Sequence, residues 1–114
     1  MNALFIELPP FQRVMAHYWA DETFREFQQY LLKQPHAGEV IQGTGGLRKV
    51  RFQDPSRSKG KRGGVRVIYY WWDGGKQFWL FTIYGKDVQD DLAPEQRKVL
   101  KQLLEVEIDA RKRK

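Results

Sequence analysis

No cysteine occurs among the 114 residues, which excludes disulfide frameworks, Cys-ligated zinc and thiol catalysis and suits a reducing compartment. Histidine is almost as scarce. His17 and His36 stand far apart, neither has a carboxylate at ligand spacing, and both read as ordinary surface or packing residues, so no metal site is expected. No apolar run reaches the roughly 18 residues that a membrane span requires. The first ten residues carry no basic stretch, and Glu7, Pro9 and Pro10 cut their apolar run short, so neither a leader peptide nor a membrane partner is expected. Nucleotide fingerprints fail as well. Gly43-Thr44-Gly45-Gly46 lacks the third glycine of a dinucleotide loop, and Gly85-Lys86 is followed by Asp87 instead of Ser or Thr. These glycines are read as turn or close-packing positions. The expectation is a cytoplasmic chain that needs no cofactor.

What is present is a folded composition with unevenly placed charge. Hydrophobic residues make up 41% and aromatics 14%, with four Trp, which is enough to build a core in a single domain of this size. The net charge is +6, yet residues 48–66 alone carry Arg48, Lys49, Arg51, Arg57, Lys59, Lys61, Arg62 and Arg66 against Asp54, a local +7. The final Arg111-Lys112-Arg113-Lys114 adds +4, so everything else sums to −5. An acidic body with local basicity builds a positive patch that attracts polyanions. A solvated charged loop is the plain alternative for such a run.

The apolar pattern predicts the order β-α-α-β-β-β-α: an α+β fold, a single domain over 1–110 with a basic tail over 111–114, and one largely antiparallel sheet packed by helices. Ala3–Leu8 reads as a strand. Pro9-Pro10 opens a helix with Phe11, Val14, Met15 and Tyr18 on one stripe, and Asp21, suited to an N-cap, opens a second with Phe24, Phe27 and Leu31 before Pro35. These two helices are expected to form an antiparallel hairpin. Glu39–Gln42 is too short to assign. Leu47–Phe52 alternates, with Val50 and Phe52 on one face and Lys49 and Arg51 on the other. Residues 53–64 read as a polar loop. Val65–Trp72 and Gln77–Tyr84 flank Asp73-Gly74-Gly75-Lys76, a strong hairpin signal. A last helix begins at Pro94 and carries Leu100, Leu103, Leu104 and Ile108.

The hairpin should fold Tyr84 and Lys86 back beside Arg66, at one end of a cationic sheet face with Lys49 and Arg51. Guanidinium groups there could hold phosphates while Tyr84 stacks a base. Trp71, Trp72, Phe78, Trp79 and Phe81 read as core in preference to a stacking platform. Such a face could cleave RNA without histidine or metal: a 2′-hydroxyl attacks its own 3′-phosphate, and cations stabilise the charge that develops. A lysine crowded by cations can serve as base near neutral pH, whereas arginine only stabilises charge.

Three segments taken in order, Gly43–Arg51, Gly60–Tyr70 and Leu80–Lys86, resemble the HigB branch of the RelE/ParE toxin superfamily. The resemblance implies a type II toxin that cuts mRNA in the ribosomal A site and is neutralised by a cognate antitoxin, expected to be a small helix-turn-helix protein. It implies that Lys49 and Arg51 hold the places of the family's strand-borne lysines and Arg66 that of its arginine, with Lys86 beside them and no cofactor. Arg51 stands where a lysine is usual, which leaves Lys49 as the proton acceptor. No arginine follows Lys86 and no tyrosine occurs at 90–92, which makes Tyr84 the candidate stacker. Arg57, Lys59, Lys61 and Arg62 are expected to hold ribosomal RNA by its phosphates. Two other classes remain open: a ParE-like toxin that binds DNA gyrase, and a non-catalytic RNA-binding module.

Overall fold

A computed structural model describes residues 2–53, 64–85, 88–89 and 91–112. The elements run β1 (Leu4–Glu7), α1 (Pro9–Tyr18), α2 (Asp21–Lys33), β2 (Glu39–Val40), β3 (Arg48–Phe52), β4 (Val65–Trp72), β5 (Gln77–Gly85) and α3 (Pro94–Lys112). The expected α+β order is present, with one addition. Glu39–Val40 pairs antiparallel with Arg48 and Lys49 as a two-residue edge strand, too short to carry a periodicity of its own. The sheet order is β1-β5-β4-β3-β2, antiparallel throughout except where β1 lies parallel to β5.

β4 is therefore the central strand, buried on both faces, and it reads as a continuous apolar run interrupted only by Arg66. On one face Val65, Val67 and Tyr69 pack with Phe11, Trp19, Phe27 and Leu31 of the first two helices and their junction. On the other, Ile68 packs with Trp79, Phe81 and the α3 leucines Leu100 and Leu104. Phe78, Trp79 and Phe81 are fully buried, as expected of core aromatics, while Trp71 and Trp72 are half-buried. Phe11 and Phe24 join α1 to α2 with ring centroids 5.7 Å apart. Asp21 proves to be the first helical residue, with Ala20 at the N-cap and no side-chain cap, so its carboxylate acts on the helix dipole instead.

A β-bulge interrupts the β4–β5 ladder: Ile68 opposes Thr82, but Tyr69 opposes Leu80, leaving Phe81 as the extra residue. Side-chain parity changes there. Phe78 and Leu80 face the first two helices, and beyond the bulge it is Ile83 that does so, which turns Tyr84 toward the α3 face.

The connections are closed by specific polar contacts. Thr44, fully buried, donates its hydroxyl to the Ile41 carbonyl at 2.6 Å and accepts the Leu47 N–H at 3.2 Å, so the Gly43–Gly46 segment is a self-satisfied turn, with Gly45 at φ +86°. Gly38 takes φ +83°, and a Cβ there would stand 2.2 Å from the Lys49 carbonyl oxygen, so only glycine lets the chain enter β2 against β3. The α3 helix runs to Lys112, and Arg111 is folded onto the domain: it bonds Glu107 at 2.6 Å and lies over the Trp79 ring at 4.3 Å.

Tyr69 ties the sheet to the loop after α2. Its single hydroxyl proton is shared between the carbonyls of Ala37 at 2.8 Å and Pro35 at 2.9 Å, and burial pushes its ionisation well above the ordinary tyrosine value, so it remains a donor. Tyr69→Phe leaves both carbonyls without this donor and is expected to lower stability by about 1–3 kcal/mol in urea unfolding. An unchanged urea midpoint would show that the tether carries no net stability.

Candidate functional site

β3 alternates as its sequence requires. Val50 and Phe52 enter the core beneath α1 and α2, while Lys49 and Arg51 take the α3 face. Arg51 lies directly opposite Arg66 on β4, and Arg66 directly opposite Tyr84 on β5, so these three form one row across three strands. Lys49, opposite Ile68, lies two residues along β3, about 7 Å from Arg51 by strand geometry. Like charges directly opposite across a strand pair repel. Four of the expected site residues thus share one face. Lys86, Arg57, Lys59, Lys61 and Arg62 lie outside the described residues.

Exposure divides the row. Arg51 is open to solvent, whereas Arg66 is 3% and Tyr84 7% exposed. Tyr84 belongs to the core cluster beneath α3, on the wall of a groove of about 410 Å³ that it shares with Val88, Leu92, Val99 and Leu100. The ring can offer a stacking surface only where the groove exposes it. Arg48 departs from the patch altogether. Strand parity turns it to the other face, where it donates to the carbonyls of His36 at 2.8 Å and Gly38 at 3.2 Å. Its charge therefore serves the loop before β2.

One participant was not anticipated. Asp91 forms an ion pair with Lys49 through Oδ1 and Nζ, leaving the Lys49 side chain 13% exposed and that of Asp91 71% exposed. The hydrogen bond from Lys49, and then its charge, hold the Asp91 carboxyl below its ordinary value, with smaller contributions from Arg97 and Arg51. Beside the carboxylate an open recess of about 290 Å³ is lined by Glu39, Ile41, Gln42, Lys49, Asp91 and Arg97, among others.

The start of α3 holds Asp91 in place. Gln96 accepts the Ala93 N–H at 2.8 Å, half of a capping box, while Leu92 is buried and Arg97 reaches the Leu92 carbonyl at 3.5 Å. The sequence signal for Asp91 is weak: it is an acid just ahead of Pro94, and nothing local indicates a partner 42 residues away.

No family model matches the chain. Solved structures that share its fold include a double arginine-to-alanine mutant of the E. coli toxin RelE in the free state, with TM-score 0.56 and 11% identity over 79% of this chain and 90% of that one. A chain of the intact E. coli RelBE toxin–antitoxin complex matches with TM-score 0.55 and 10% identity over 74% and 96%. The isolated E. coli RelE toxin matches with TM-score 0.54 and 11% identity over 90% and 99%. Agreement at this identity establishes a RelE-like fold and leaves the chemistry to the residues.

The ion pair makes a direct prediction. Asp91 should titrate below its ordinary value of 3.8. A carboxyl whose folded value is depressed contributes stability above the unfolded value, and that contribution is lost as pH falls through the folded one. NMR titration of the Asp91 carboxyl should therefore give a midpoint below the ordinary value in the wild type and a return toward it in Lys49→Gln. Equal midpoints in the two proteins would mean that the pair does not form in solution.

Proposed function

We propose that this protein is a HigB-like toxin of a type II toxin–antitoxin system, a metal-independent endoribonuclease that cuts ribosome-bound mRNA. The observation that carries this reading is the alignment of Lys49, Arg51 and Arg66 on one face of a RelE-like sheet. Cations so placed suit a pentacovalent phosphorane, whose charge exceeds that of the ground-state diester. In the reaction the 2′-oxygen bonds to phosphorus, the bond to the 5′-oxygen breaks, and the products are a 2′,3′-cyclic phosphate and a 5′-hydroxyl. One proton leaves the 2′-hydroxyl and one reaches the departing oxygen. Arg51 and Arg66 are assigned to charge stabilisation, because a guanidinium does not give up its proton.

Lys49 is assigned to the 2′-hydroxyl. In the free protein its ammonium donates to Asp91, so it can accept the 2′-hydroxyl proton only after that pair has opened and the ammonium has passed one proton to solvent. Lys86 is assigned to the catalytic cluster around the scissile phosphate, Arg57, Lys59, Lys61 and Arg62 to holding the RNA backbone, and Tyr84 to a base at the groove. The toxin–antitoxin complex among the structures of this fold supports an antitoxin as the physiological partner. The site of action would be the cytoplasm, where ribosomes and mRNA are found.

Single-turnover cleavage of mRNA on ribosomes, with mapping of new 5′ ends, tests the reading. Arg51→Ala is expected to slow cleavage on the order of a hundredfold, equivalent to about 3 kcal/mol of lost transition-state stabilisation. Arg51 is exposed, so folding should be unaffected. Arg66→Ala should lose at least as much, with thermal unfolding checked because this residue is buried. Lys49→Arg preserves charge and forbids proton acceptance near neutral pH, so near-wild-type cleavage by this variant would remove Lys49 as the base. Ribosome binding without new 5′ ends would leave a binding module in place of an enzyme.

A further inference from the structure

We propose that Asp91 is an internal stand-in for the substrate phosphate, seated on Lys49 in the free protein and displaced when the RNA backbone enters. The inference rests on reading the Lys49 face as an RNA site, and it adds a competitor built into the same chain. The carboxylate touches the lysine of that face and shares an open recess with Arg97, which is the position an incoming phosphate oxygen would seek. A carboxylate and a phosphate use the same charge-assisted hydrogen bonds, so only one of them can satisfy Lys49 at a time.

The two partners differ in a way that suits displacement. Lys49 is largely covered and rises from a strand, whereas Asp91 is mostly exposed and lies on the short connection ahead of α3. With Asp91 mostly exposed the pair is only partly desolvated, so a stronger multiply contacting anion can open it. The connection is nonetheless held close by Leu92 in the core and by Gln96 on the Ala93 N–H, which keeps the carboxylate at high local concentration near Lys49. A lone phosphate contact then competes against an intramolecular partner. A strand aligned on the ribosome, engaging Arg51 and the row behind it together, can displace that partner. The pair would thereby restrain the protein from free RNA and relax on a multiply contacting substrate.

Binding of a short, fully 2′-O-methylated oligoribonucleotide tests this without cleavage, because no 2′-hydroxyl is free to attack. Fluorescence anisotropy with the full chain is expected to show that Asp91→Asn, which keeps the side-chain shape and removes the charge, tightens binding about tenfold at low salt. One additional ionic contact should steepen the slope of log K against log salt by about 0.7. In Lys49→Gln/Asp91→Asn the gain over Lys49→Gln should vanish, an outcome that a merely structural role for Asp91 would not produce. Asp91→Ala provides a second variant, with thermal unfolding as the check on folding.

Binding by Asp91→Asn that is no tighter than wild type overturns the stand-in role and leaves the RNA reading intact. Tighter binding that persists in the double variant also overturns it, because the gain would then not pass through Lys49. A fall in single-turnover cleavage on saturated ribosomes would make Asp91 part of the reaction and overturn it likewise. Absence of binding by both the wild type and the variant removes the RNA reading and the stand-in together.

Discussion

The β-bulge at Phe81 sets which residues can meet. A strand of strict alternation that sends Phe78 and Leu80 toward the first two helices would send Tyr84 there as well. By inserting one residue opposite Ile68 and Tyr69, β5 changes parity and delivers Tyr84 to the face that already carries Lys49, Arg51 and Arg66. Phe81 lies beside Trp79 beneath α3 by ordinary alternation, so β5 fills the second core layer before its parity changes.

On that face α3 has two duties. Leu100 and Leu104 bury Ile68, Trp79 and Phe81, and the far end of the helix is held down by Arg111 over Trp79. The near end presents Asp91 to Lys49. Covering the sheet and supplying a counter-charge to the site are therefore coupled through one element. The buried part of the row, Arg66 and Tyr84, lies in the sheet beside that cover, and Arg51 lies toward solvent. This gradient explains why a face that reads as open in sequence is half closed in the folded chain.

Much of the architecture was legible because it rests on local patterns. Val50 and Phe52 alternate with Lys49 and Arg51, Asp73-Gly74-Gly75-Lys76 joins two β-rich runs, and Pro94 marks the first turn of α3, all as short-range sterics and burial require. Counting along the hairpin brings Tyr84 back to the neighbourhood of Arg66 but sets it opposite Val65, and the bulge then moves it directly opposite Arg66. Arg48 misled, because a count of charge cannot see that strand parity turns this residue to the opposite face and onto the carbonyls of His36 and Gly38. The edge strand at Glu39–Val40 was invisible in sequence because two residues exposed to solvent have no apolar period.

Local patterns along the chain specify the class of fold, the central hairpin, the division of β3 into a core face and a cationic face, and the concentration of positive charge along residues 48–66. Each of these is a matter of neighbours within a few residues, where periodicity, turn chemistry and charge spacing act directly. Long-range packing alone covers Arg66 and Tyr84, folds Arg111 onto the domain and seats Asp91 on Lys49. Those outcomes depend on how α3 crosses the sheet and on a one-residue bulge. The energies that fix them come from contacts between residues distant in the chain, which no local pattern encodes.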